Sequence, residues 1–319
     1  MQYIIKILVN MNDIIIEKLI ENIEKTNDNK SSHWKLLLPE EKKFKDYKNA
    51  ADQISRYFYK KNDFLDKFEH LGAGSFTLKS KKNVFHQLLQ KKLYGNNIFK
   101  TNTFKKYKTI FDTQNRFMDN DTIRHVFTYE KLKKILNPKS IKSICLIGDG
   151  KLNGILGAYL TFPKAKIYTI NLSELLINDY LIIKDFKDEL KISPELVDNV
   201  KFKINDKNFY LVPSNFKNFL LNKKIDLFIS IAAFQEMNMN EINQYFKIIK
   251  NNKSKLYCCN REYKKLTGGE ELFFDKYKWG KSKRIFWEDC PWHQKYFDLK
   301  FPFIHKYDGN IKHCLVDFE

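Results

Sequence analysis

Ser143-Ile144-Cys145-Leu146-Ile147-Gly148-Asp149-Gly150-Lys151-Leu152-Asn153-Gly154 is the stretch whose reading decides the fold. An apolar run, Ser143 to Ile147, ends in Gly148, Asp149 and Gly150, and Gly154 follows within a helical pattern from Leu152 to Leu160. Glycines at a strand-to-helix turn let the backbone pass close to a ligand, and the helix N-terminus offers unpaired N–H groups. The spacing alone also fits an ordinary turn, so the surrounding sequence has to decide.

Downstream, the same grammar repeats. Strand-like runs at Lys166 to Leu172, Phe209 to Val212, Asp226 to Ala233 and Leu256 to Asn260 alternate with helical patterns at Ser173 to Phe186, Asn215 to Leu221 and Asn240 to Ile249. Short apolar strands separated by helices form βαβ units, whose right-handed crossovers give a parallel, doubly wound, Rossmann-like α/β sheet covered on both faces. The tail from Gly268 adds two strand candidates, around Phe301 to Lys306 and His313 to Phe318.

Upstream, residues 1–140 read as a mainly helical region expected to cap the substrate side of the cleft, and residues 141–319 as the Rossmann-like sheet domain. Ile14, Ile15, Leu19, Ile20 and Ile23 share one helical face, Phe58, Phe64, Leu65 and Phe68 repeat the pattern, and Gly72 to Ser75 breaks it. A helix at Tyr129 to Leu136 stops before Pro138.

The composition excludes several classes. With 43% hydrophobic and 15% aromatic side chains over 319 residues, the chain has core material enough to fold. No stretch approaches the ~20 apolar residues of a membrane span, and the opening residues lack a secretory pattern, so a cytoplasmic protein is expected. Cys145, Cys258, Cys259, Cys290 and Cys314 show neither disulfide-framework nor zinc-type spacing; free buried thiols and no metal are expected. The formal charge of +19 would suit a nucleic-acid-binding or nucleic-acid-methylating protein, which stands as the alternative function, but the lysines are interspersed with acids throughout, so a nucleic-acid partner is not expected.

Ligands of such sheets bind beyond the carboxyl ends of the strands. Asn171 ends the second strand, where a polar side chain grips ribose hydroxyls. Ser214 and Asn215 follow the third, either to meet an adenine edge or to cap a helix. Gln235 and Glu236 follow the fourth, and Asn260 with Arg261 the fifth, making a polar lining for a hydroxyl-rich substrate or merely a solvated rim. Arg116 and His125, with Arg124, form a candidate phosphate grip. His293 in Asp289-Cys290-Pro291-Trp292-His293 is the first candidate for a general base, oriented by Asp289, and Glu236 is the second. Trp279, Trp287 and Trp292 suit a sugar-stacking platform or, with the edge, core packing.

Leu146-Ile147-Gly148-Asp149-Gly150, Ile170-Asn171-Leu172-Ser173-Glu174-Leu175, Phe234-Gln235-Glu236-Met237, Tyr257-Cys258-Cys259-Asn260-Arg261 and Cys290-Pro291-Trp292-His293 together resemble the sugar O-methyltransferase family over residues 115–319. The resemblance implies a class I methyltransferase fold and methyl transfer from S-adenosylmethionine to a hydroxyl of a sugar, sugar nucleotide or glycan precursor, within cell-surface polysaccharide biosynthesis. It further implies that Gly148, Asp149, Gly150 and Gly154 border the methionine part of the cofactor, Asn171 and Leu172 its ribose and adenine, and Ser214 with Asn215 the adenine rim. Leu146 and Asn171 stand where the family usually carries acids. A glycan-binding member without activity is the alternative that these departures leave open.

Overall fold

The computed structural model describes residues 13–25, 30–37, 79, 83–149, 152–185, 190, 192–297 and 301–319. Gly150 and the Phe58 to Ser75 pattern lie outside them.

An eight-stranded sheet organises the chain. Its strands are β1 (Ser143–Ile147), β2 (Lys166–Asn171), β3 (Pro194–Leu196), β4 (Phe209–Pro213), β5 (Leu227–Ile231), β6 (Lys255–Arg261), β9 (Lys283–Asp289) and β12 (Ile311–Asp317), in spatial order β3-β4-β2-β1-β5-β6-β12-β9. All neighbours pair in parallel except at β12, which runs antiparallel to both β6 and β9. This is the doubly wound, Rossmann-like α/β fold with a reversed strand near one edge. Two small hairpins complete the tail, β7 (Tyr263–Lys265) with β8 (Glu271–Phe273) and β10 (Lys295–Phe297) with β11 (Ile304–Lys306). The tail is therefore richer in strands than its sequence suggests, because β7, β8 and β10 span three residues each and β9, though seven residues long, is largely exposed and carries no apolar run.

The helices are α1 (Ile14–Lys25), α2 (Ser32–Leu37), α3 (Asn83–Tyr94), α4 (Asn102–Thr113), α5 (Asn120–Ile135), α6 (Asn153–Thr161), α7 (Ser173–Asp185) and α8 (Met239–Asn251). Residues Ser214–Asn222, read above as an α-helix, form a 3-10 helix. The helix expected at Tyr129 begins a full nine residues earlier at Asn120, where the Asp119 side chain accepts the Thr122 N–H at 2.9 Å. Among the described residues no helix is long and apolar enough to cross a membrane.

Side chains of β1 alternate between two cores, as the period of two requires. Ile144 and Leu146 belong to the core shared with α1, α4, α5, α6 and α7, whereas Cys145 and Ile147 belong to the one shared with the 3-10 helix, α8 and the aromatic tail. The described helices α4 and α5 thus share one core with the sheet. Where α5 crosses α6, a Cβ on Gly157 would lie 2.1 Å from the Tyr129 ring, so only glycine permits the approach. Tyr107 and Tyr129 hydroxyls then reach the Asn153 and Gly154 carbonyls at 2.6 and 2.5 Å, fixing the start of α6 beneath the glycine turn. Trp279 packs in the second core against Phe246, Phe274 and Trp287, and Trp292 stacks on Phe127, so these tryptophans serve packing.

Candidate functional site

The chain leaves β1 for β2 on one side and later places β5 on the other, so the strand order reverses between β1 and β5. At such a switch point the two crossovers diverge and open a crevice at the strand ends. A narrow pocket of about 10 Å³, room for about one water molecule, lies there, lined by Leu146, Ile147, Gly148, Asp149, Gly154, Ile229, Ile231 and, from α5, His125.

Backbone geometry around the cavity is unusual. Gly148 has φ +72°, and a Cβ there would meet the Ala233 Cβ at 2.5 Å. Two non-glycine residues, Leu152 at φ 64° and Ala232 at φ 59°, also take the left-handed conformation beside it. Strained backbone of this kind persists where surrounding structure enforces it, often at ligand sites.

Asp149 is committed locally. Its carboxylate accepts the N–H groups of Gly154 at 3.0 Å and Ile155 at 2.5 Å, capping α6. Burial raises its pKa, an effect that the nearby His125 and the two amides oppose. Asn171 is buried, and its Oδ1 accepts the adjacent Leu172 N–H at 3.0 Å. Its side chain also lies beside the buried carboxyl of Asp179 on α7, whose pKa burial lifts far above the carboxylate range. Asn171 therefore faces inward at the strand tip, next to an acid that sequence reading did not single out.

Ser214 and Asn215 sit half-buried after β4, and Asn215 pairs reciprocally with Asn22 of α1, amide to amide at 2.9 and 2.8 Å. Asn22 also donates to the Ser173 hydroxyl at 2.7 Å. Residues 30–32 form a strap at the strand tips: Lys30 meets Glu174 at 2.5 Å, the Ser31 hydroxyl donates to the Glu236 carbonyl at 2.5 Å, and Ser32 bonds Glu270 and Gly268. Residues 13–25 and 30–37 thus lie over the rim that the sequence assigns to adenine.

Glu236 stands at the lip after β5. Its carboxylate is 3.9 Å from the His33 ring, and burial raises its pKa to about 7 although Lys264 and Arg261 pull the other way. Its side chain remains 31% exposed. His125 lies 3.7 Å from Asp121, and Asp121 also influences Glu236, Asp149 and His293. Asp121, missed from sequence, is the acid around which these groups gather; its place two residues beyond the Asp119 cap was its only sequence signal.

The remaining candidates divide differently. Gln235 and Asn260 latch two strand tips together: the Gln235 N–H donates to Asn260 Oδ1 at 3.1 Å, and the Arg261 N–H donates to Gln235 Oε1 at 2.9 Å. Arg261 lies over the Tyr307 ring at the mouth. Arg116 is buried against Phe111, and Arg124 donates to the Lys295 carbonyl at 2.8 Å, so neither joins His125 in a phosphate grip. Asp289 is exposed and pairs with Lys312 at 2.6 Å; successive residues near a strand end face opposite ways, which takes it away from His293. His293 Nδ1 is instead held by the thiols of Cys290 and Cys259 at 3.5 and 3.6 Å. Burial lowers its pKa.

Fold and site together define a Rossmann-like α/β protein with a ligand crevice at its β1/β5 switch point. No protein-family model matches the sequence, and comparison with curated proteins finds no match either. Among solved structures the chain is similar to the mitomycin 7-O-methyltransferase MmcR, at 8% identity over 74% of this chain and 66% of that one, with a TM-score of 0.36. It is also similar to a variant of MtNAS in complex with S-adenosylmethionine, at 10% identity over 95% and 96% of the two chains and TM-score 0.39. M. capricolum TrmK, solved with S-adenosylhomocysteine, aligns at 15% identity over 60% of this chain and 68% of its own, with TM-score 0.34.

Proposed function

We propose that the chain is an S-adenosylmethionine-dependent methyltransferase acting on a hydroxyl of a sugar, sugar nucleotide or glycan precursor. The observation that carries the reading is the pocket at the β1/β5 switch point, floored by the Gly148 turn and lined by His125. The acceptor class rests on the sequence resemblance.

The residues present fit the cofactor. Gly148 keeps the floor free of side chain, and Asp149 and Gly154 line the space beside it. Leu172, Ser214 and Asn215 stand at the rim beneath α1, and Asn171 fixes the strand tip from within. As it stands the pocket has room for only about one water molecule, so the segments 13–25 and 30–37 over the strand tips have to yield for the cofactor to enter. When bound, the cofactor supplies an electrophilic methyl group on sulfur. What the protein adds is alignment of an acceptor oxygen and removal of its proton.

Glu236 is the base in this reading, in preference to His293. Its pKa near 7 and partly exposed carboxylate suit proton abstraction at neutral pH, while the His293 Nδ1 is engaged by two thiols. His125, lining the cavity, orients the acceptor with support from Asp121. Arg261 and Lys264 near Glu236 suit an acceptor bearing a phosphate or acidic group.

Transfer of labelled methyl to a panel of sugar nucleotides and glycan precursors tests the reading. Glu236→Gln is expected to cut kcat by about 10²–10⁴ with little change in cofactor affinity. The wild-type kcat should rise with pH through an apparent pKa near 7, since the carboxylate form is the active one. Undiminished turnover in the variant would remove Glu236 from the base role.

A further inference from the structure

Cys259 comes from β6, while Cys290 and His293 come from the turn that follows β9. In that turn the His293 N–H returns to the Cys290 carbonyl at 3.3 Å, so Cys290-Pro291-Trp292-His293 is a tight turn that presents a thiol and an imidazole together. All three side chains are buried, and their donor atoms, two Sγ and one Nδ1, lie within 4.8 Å of one another. The geometry points to a zinc-type metal site formed by Cys259, Cys290 and His293.

The distances carry the assignment. Tetrahedral zinc with Zn–S of about 2.3 Å and Zn–N of about 2.0–2.1 Å requires an S···N separation of about 3.5 Å. His293 Nδ1 lies 3.5 Å from Cys290 Sγ and 3.6 Å from Cys259 Sγ. Two thiolates and one imidazole are a soft donor set that favours zinc over magnesium or calcium. Among the described residues no further His, Cys, Asp or Glu joins the group, so a fourth position is open to a water or a substrate oxygen.

The neighbours distinguish this triad from chance clustering of buried thiols. Cys145, Cys258 and Cys314 lie in the opposite core, where each is packed among aliphatic and aromatic side chains. Cys259 and Cys290 alone share the face that holds His293. Asp121 and Arg124 of α5 both act on the imidazole, the acid favouring and the guanidinium opposing its charged form. A metal here ties the β9 turn to β6 behind the crevice, and its presence does not depend on the methyl-transfer reading.

Titration of the full-length, reduced and chelator-treated protein with Co²⁺, then Zn²⁺, tests the site. One equivalent of Co²⁺ should bind with thiolate-to-cobalt charge-transfer bands and intense tetrahedral d–d bands, and one equivalent of Zn²⁺ should displace it. Cys290→Ala and His293→Ala should each weaken binding by at least about 100-fold, more than loss of an outer-shell partner typically does. Cys258→Ala, one residue from Cys259 but on the other face, should bind like wild type. Circular dichroism of each variant before titration separates lost ligands from lost fold. Absence of stoichiometric binding by folded wild type, or binding that survives in the folded Cys259→Ala/Cys290→Ala double variant, overturns the proposal.

Discussion

Replacing Asp149 distinguishes two roles for the residue. Sequence reading places it against the cofactor, whereas its carboxylate holds the first amides of α6, Gly154 at 3.0 Å and Ile155 at 2.5 Å. A helix cap is worth about 0.5–2 kcal/mol, and hydrogen bonds to a charged group reach about 1.5–3 kcal/mol each. Against this stands the cost of holding a carboxylate in a site where burial raises its pKa. The net expected loss for Asp149→Ala is about 2 kcal/mol, or roughly 3–6 °C in Tm for a domain of this size. Asp149→Asn keeps one acceptor and should lose about half as much. Thermal unfolding followed by circular dichroism, paired with calorimetric titration of S-adenosylhomocysteine, separates the roles. Unchanged stability with abolished binding would show that Asp149 grips the ligand and refute the capping account.

Other consequences follow from buried polar groups. His86 on α3 is packed between Phe117 and Phe297, and burial lowers its pKa to about 3. Because the fold favours its neutral form, its contribution is intact above the unfolded pKa of about 6.5 and falls by about 1.4 kcal/mol per pH unit below it. His86→Phe should therefore gain about 2 kcal/mol on wild type between pH 7.5 and 5 in urea unfolding, and a constant difference would contradict this. Asn22→Ala removes the bonds from α1 to Ser173 and Asn215, worth about 2–3 kcal/mol together. Amides of α1 should then exchange faster in deuterium, and unaltered exchange would show that the strap is held elsewhere.

The central strands were legible because they are buried on both faces and read as unbroken apolar runs, whereas β3 and the exposed edge strand β9, Lys283–Asp289, carry no such run and went unread. The glycine turn was equally legible, since φ +72° at Gly148 and the Ala233 contact both demand glycine. Side-chain assignments at the strand tips were less so. Asn171, Gln235 and Asn260 are polar residues where ligands bind, but each satisfies a backbone group of its own fold, a choice decided by rotamers that sequence does not encode. Asp289 and His293 looked like a pair from spacing alone, yet the chain turns between them. The Cys259, Cys290 and His293 cluster was hidden because two of its members sit on a turn distant in sequence from the third. Asp121 and Asp179 went unnoticed as ordinary helix acids, and only packing shows Asp179 buried and Asp121 half-buried beside His125.

The central claim, that the β1/β5 crevice holds S-adenosylmethionine, is tested most directly by isothermal titration of the wild-type chain with S-adenosylmethionine and S-adenosylhomocysteine. The account predicts saturable one-to-one binding of both, a rise in Tm with ligand concentration, and loss of both signals in Ile231→Trp, whose indole would fill the cavity between β1 and β5. No binding heat and no thermal stabilisation by either ligand, or binding unaltered in a folded Ile231→Trp, would contradict it.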